Sequence, residues 1–118
     1  MTNMDGLRLR ELFATIDARR WDALAEFFHP DIVYERPGTP PLRGLDRVLL
    51  YYREERQIIS SAHTVEGALV QDGSGAAWGR VDCVLTAGTR NELGFADIYL
   101  IEQELIRLRR THFFLPGV

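Results

Sequence analysis

The run AAWGRVDCVL, residues 76–85, sets an arginine and an aspartate two residues apart, Arg80 and Asp82, in what reads as a β-strand. Side chains alternate across a strand, so both charges fall on one face together with Trp78 and Val84, while Val81, Cys83 and Leu85 form an apolar opposite face. Turned into a cavity, the charged face is a site: desolvation raises a carboxyl pKa, a neighbouring guanidinium lowers it, and the pair can hold a proton near neutrality for acid or base work. Turned to water, it is an ordinary surface ion pair contributing little. Asp97, on the parity of Phe95, Tyr99 and Ile101, raises the same question. It is either an inward functional group or a hydrogen-bond partner of an adjacent strand.

Other residue types narrow the chemistry. Lysine is absent, which excludes Schiff-base catalysis by a lysine side chain. The three histidines, His29, His63 and His112, lie on separate elements without a nearby nucleophile motif or metal-ligand spacing, so neither a triad nor a bound metal is expected. The single cysteine, Cys83, makes no intrachain disulfide, and together with the absence of an apolar leader or membrane-length run it predicts a soluble cytoplasmic protein. A formal net charge of −3 gives no electrostatic reason for nucleic-acid binding, and no glycine-rich phosphate loop occurs.

The elements that must position these residues divide the chain in two. Leu9, Leu12, Phe13 and Ile16, then Trp21, Leu24, Ala25 and Phe28, follow helical spacing. Residues 31–36 read as a strand ended by Pro37 and the stiff PGTPP loop. A third helix begins near residue 44, with Leu45, Val48, Leu49 and Tyr52 on one face. From His63 onward four strands alternate with turns, at 63–71, 76–87, 92–101 and 105–115. Neither half can bury its apolar face alone, which predicts one α+β domain over residues 1–118: a curved antiparallel sheet wrapped on about three N-terminal helices.

This order of elements, with WDALAEFFHPDIVYERPGTPPLRGLDRV running from helix through His-Pro-Asp and a strand into the next helix, resembles the SnoaL-like and ketosteroid isomerase-like families of the nuclear transport factor two superfamily. The resemblance implies a cone-shaped sheet whose open end holds an apolar small molecule, no cofactor, and a homodimer through the outer sheet. Two catalytic patterns of the superfamily map onto this sequence. In the limonene-epoxide hydrolase-like pattern, Tyr34 matches, Arg36 replaces an asparagine, Arg80 and Asp82 match, and the last-strand carboxylate falls near Thr111, beside His112. In the ketosteroid isomerase-like pattern, Leu12 replaces a tyrosine, Arg36 with Glu35 occupies the base position, and Asp97 matches a protonated aspartate.

The resemblance therefore implies catalysis by Asp82, Arg80, Tyr34 and Asp97, in a pocket lined by Trp78, Arg36, Phe95, Tyr99, Leu12 and Tyr52. Epoxide hydrolysis is the most concrete reaction, with isomerisation or cyclisation of a terpenoid, steroid or polyketide-like molecule beside it. A non-catalytic carrier using the same pocket is the alternative, since one fold hosts many functions.

Overall fold

The computed structural model describes residues 2–114. Helix α1 (Gly6–Asp17) starts where the Asp5 carboxylate accepts the Arg8 backbone N–H at 2.8 Å, and it buries Leu9, Leu12, Phe13 and Ile16. The second helical run is shorter than its periodicity predicts. Helix α2 covers only Trp21–Leu24, followed by a 3-10 turn (Ala25–Phe27), and strand β1 (Phe28–Glu35) begins at once. A two-residue strand β2 (Leu42–Arg43), hidden in the proline loop, leads into helix α3 (Leu45–Leu50).

Helix α3 ends in a π-helical turn (Tyr51–Glu55), closed by the Arg56 N–H on the Tyr51 carbonyl at 2.8 Å. The wider turn brings both Tyr51 and Tyr52 inward on consecutive positions, where regular helical geometry would separate them by about 100°. Strands β3 (Ile58–Gln71), β4 (Ser74–Leu85), β5 (Arg90–Glu102) and β6 (Leu105–Phe114) form the expected meander. The sheet order is β2-β1-β6-β5-β4-β3. It is not wholly antiparallel: β1 runs parallel to β6, because the N-terminal strand joins the far side of the meander through the helices rather than through a hairpin.

The sheet curves over α1 with the help of a β-bulge between Val65 and Gly67. Facing the bulge, Gly79 lies so close to β3 that a Cβ there would sit 1.9 Å from the Thr64 carbonyl oxygen. On the convex face Trp78 lies across Gly67 and Phe114 across Gly94, each ring occupying the space of its cross-strand partner's missing side chain.

Curvature fixes which parity of β4 is inside. Ala77, Val81 and Cys83 are buried on the concave face, and Trp78, 42% exposed, stands with Arg80 and Asp82 on the convex one. The apolar parity of the run thus takes the interior, as the cost of desolvating charge requires. The expectation that Trp78, Arg80 and Asp82 point into a cavity is overturned. Among the described residues no helix is long and apolar enough to cross a membrane.

Candidate functional site

Between the open end of the sheet, α3 and the proline loop lies a cavity of about 720 Å³. Ile16, Leu42, Ile58, Val81, Leu85, Leu93 and Phe113 give it an apolar wall, and Tyr34, Tyr51, Tyr52, His63, Arg36, Arg56 and Arg109 bring polar groups to it.

At the inner end, Asp97 and Arg109 form an ion pair at 2.8 Å, with side chains 0% and 4% exposed. Three further groups complete it. The Tyr99 hydroxyl donates to the same carboxylate oxygen of Asp97 at 2.6 Å, Thr111 Oγ1 donates to the other at 2.6 Å, and Arg109 Nη1 donates to the Tyr52 hydroxyl at 2.7 Å. Every acceptor site of the carboxylate that faces the protein is used, which is what allows a charge to be buried there. Burial alone would weaken the Arg109 cation, but Asp97 and the nearby tyrosine oxygens outweigh it and hold its pKa well above the ordinary arginine value.

Tyr34 stands above this pair. Since the Thr111 hydroxyl hydrogen is directed at Asp97, the Tyr34 hydroxyl is the donor in its 3.3 Å contact with Thr111, and it accepts from Arg36 Nη1 at 3.2 Å. Arg109 also lies 4.7 Å from the centre of the Tyr34 ring. Burial alone would raise the Tyr34 pKa, yet the Arg109 and Arg36 charges outweigh it and bring the phenol below its ordinary value. Its neighbours differ: burial raises Tyr51 and Tyr52 despite the same arginines. Among the three tyrosines that border the cavity, Tyr34 is thus the one whose phenol is made more acidic.

A second proton-handling group comes from β3. His63 Nδ1 meets Asp17 Oδ1, at the end of α1, at 2.6 Å, and the same carboxylate accepts the His63 backbone N–H at 2.8 Å and the Ser61 hydroxyl at 2.7 Å. Burial alone would raise the Asp17 pKa; the bonds from His63 and Ser61 outweigh it and hold the carboxyl below its usual value. An ionised Asp17 accepts the proton of Nδ1 and so fixes the imidazole, leaving Nε2 as the nitrogen for proton exchange, the arrangement of an oriented acid–base group. Phe13 and Phe95 pack against the imidazole at centroid distances of 4.8 and 5.3 Å and fix its plane.

The candidate residues now separate. Tyr34, Arg36 and Tyr52 border the cavity. Asp97 lies beneath it, 1% exposed and tied to Arg109, Tyr99 and Thr111, so it is both inward and cross-strand bonded. It is the register partner of Thr111, and thus its carboxylate stands beside the place where a last-strand acid was expected. Phe95, Tyr99 and Leu12 are core residues that do not border the cavity: Phe95 backs His63, Tyr99 braces Asp97 and Leu12 is in the α1 seam. Arg80, Asp82 and Trp78 are on the convex face, where Arg80 pairs with Glu92 at 3.2 Å across β5 instead of with Asp82.

His63, Asp17, Arg56 and Arg109 were not among the candidates. Arg109 alternates with Arg107 and Thr111 on β6, a pattern open to solvated or salt-bridged positions, and sequence does not reveal that its partner is Asp97 on the neighbouring strand. The His63–Asp17 contact spans 46 residues and leaves no local pattern. Among the described residues no cluster of His, Cys, Asp and Glu side chains converges as a metal site.

With this geometry in hand, comparison with known proteins is informative. A SnoaL-like domain model matches residues 9–109. The chain belongs to the SnoaL-like domain family. No curated protein matches it. Among solved structures, an NTF2-like protein of unknown function from Burkholderia pseudomallei is similar with a TM-score of 0.84 at 16% identity, over 97% of this chain and 92% of that one. An LEH-like epoxide hydrolase of M. tuberculosis is similar with a TM-score of 0.78 at 14% identity, over 90% and 79%. A protein with a ketosteroid isomerase-like fold from Catenulispora acidiphila gives 0.79 at 15%, over 93% and 87%. At such identities the likeness is one of fold, and the SnoaL-like scaffold, shared by isomerases, cyclases and epoxide hydrolases, leaves the reaction to the residues of the cavity.

Proposed function

We propose that this SnoaL-like protein is a cofactor-independent proton-transfer enzyme, of isomerase or cyclase type, acting on an apolar carbonyl compound. The observation that carries the reading is the pair of oppositely suited groups on one cavity: His63, oriented by Asp17, and Tyr34, whose phenol is made more acidic by Arg36 and Arg109. His63 Nε2 removes a proton from carbon. The electron pair moves through the conjugated system to the carbonyl oxygen, where the Tyr52 hydroxyl, and the Tyr34 hydroxyl once it turns from its long contact with Thr111, donate to the developing enolate. Return of the proton from His63 to another carbon completes an isomerisation.

Epoxide opening by Asp82 with Arg80 is no part of this reading, since neither side chain reaches the cavity. A carrier role is the second reading, and a specific observation favours it: Asp97, the one residue that matches the ketosteroid isomerase-like pattern, has its oxygens occupied by Arg109, Tyr99 and Thr111.

The two readings part in a solvent-exchange experiment. Incubated in D2O with a panel of unsaturated and aromatic ketones, the wild-type protein is expected to speed deuterium entry at the acidic carbon, followed by proton NMR. His63→Gln should reduce that rate by about 10²–10⁴-fold and Tyr34→Phe by about tenfold or more, with melting temperature as the control for folding. Binding of these ketones without accelerated exchange would exclude the enzyme and favour the carrier.

A further inference from the structure

Charge around the cavity does not balance. Of the four arginines that border it, Arg109 is neutralised by Asp97 and Arg47 by Glu55, the latter through two bonds of 3.1 and 2.8 Å. Arg36 and Arg56 have no carboxylate at salt-bridge distance among the described residues. Among the described residues Arg36 donates only to the Tyr34 hydroxyl. Arg56 is satisfied still less. Its Nε and Nη1 are buried without a partner among the described residues, and Nη2 makes one long contact of 3.4 Å with Ser61, through which alone it reaches Asp17.

Arg36 and Arg56 are partly buried, and a cation that loses hydration without a carboxylate partner needs something to offset the loss. Aromatic rings do so in part. Arg36 lies 5.1 Å from the centre of the Tyr51 ring and Arg56 lies 5.4 Å from that of Tyr52. Those two rings are themselves in edge contact at 5.4 Å, so both free guanidiniums border one tyrosine pair in the cavity wall. The rings supply no acceptors for the guanidinium N–H groups. A planar anion does, since a carboxylate offers two oxygens to the guanidinium fork.

We propose that the natural ligand is an apolar small molecule carrying a carboxylate, and that Arg36 and Arg56 recognise that group while the apolar wall takes the remainder. Within the proton-transfer reading, the substrate is then an unsaturated or keto acid rather than a neutral ketone. The carboxylate sits by the Tyr51–Tyr52 pair and the hydrocarbon part extends toward Ile16 and His63. Arg56 is a recognition residue, bordering the cavity without a carboxylate partner among the described residues.

The test is a titration of the wild-type protein, by calorimetry, with three acids (phenylacetate, 1-naphthylacetate and decanoate), their primary amides, and 1-naphthylmethyl phosphate. At least one acid should bind about tenfold or more tightly than its amide, a difference of about 1.4 kcal/mol. Arg36→Met and Arg56→Met should each lower acid affinity by about tenfold more than amide affinity, and the melting temperature of Arg56→Met should stay level or rise. Equal binding of acid and amide, loss of both in the variants, tighter binding of the phosphate, or no binding of any acid at millimolar concentration would overturn the proposal. Selective acid binding without deuterium exchange would leave it standing and remove the proton-transfer reading. Exchange on neutral ketones without preference for acids would do the reverse.

Discussion

Asp97 and Asp17 are two buried carboxylates with different duties, and their surroundings separate them. Asp97 is enclosed with Arg109, and removing one member of such a pair leaves the other charge stranded; Asp97→Ala is expected to cost about 3–5 kcal/mol of unfolding free energy, measured by urea denaturation. A loss well under 1 kcal/mol would show that the pair does not hold the inner end of the cavity together. Asp17 works through His63. Its folded pKa lies below the unfolded value of 3.8, so the unfolded chain binds the proton more readily. The stability it contributes is complete above that value and is lost as pH falls through the folded pKa. Asp17→Asn should flatten the acid side of the stability profile, and an unchanged profile would count against an ionised Asp17. The same substitution removes the negative charge that orients His63, so exchange activity should fall with it.

Among the elements, β4 shows why the sheet was legible and its cavity face was not. The alternation of Val81, Cys83 and Leu85 identified the strand and its apolar side, and burial of that side follows from desolvation alone. The Arg-x-Asp spacing pointed to the other side, because a motif match carries no information about which way a strand faces, and parity inverts every side chain at once. Tyr34 and Arg36 are legible through the resemblance, whose motif spacing falls on the end of β1 and the residue just after it. Tyr51 and Tyr52 both face inward only through the π-helical turn, which no periodicity announces. The β3 bulge leaves no local pattern for a related reason: it is accompanied by a close approach of Gly79 to Thr64, two residues from different strands. Gly79→Ala drives a Cβ into that carbonyl and is expected to lower stability by about 1–3 kcal/mol, with the melting temperature as readout. Gly73→Ala, in the β3–β4 turn at a φ of 77°, would instead act through backbone strain alone.

For the whole molecule, the concave and convex faces of one sheet have divided their work. The concave face holds the cavity. The convex face exposes Trp78, Ile98 and Leu100, at 42%, 43% and 46%, on adjacent strands, with Leu69 nearby on β3 at 51%. Exposed apolar side chains gathered in this way mark a surface that another molecule covers. We propose that a second copy does so through a two-fold contact. Sedimentation velocity should give a dimer at micromolar concentration and a monomer for Trp78→Glu; a wild-type monomer would refute it.

The claim on which the account turns is that chemistry belongs to the concave face, at His63, and not to the convex Arg80 and Asp82. One comparison decides between them: the rate of deuterium entry into a common ketone or keto acid substrate, in D2O, for wild type, His63→Gln and Asp82→Asn. The account predicts a loss of at least about a hundredfold in His63→Gln and a wild-type rate in Asp82→Asn. A wild-type rate in His63→Gln together with a dead Asp82→Asn would contradict it.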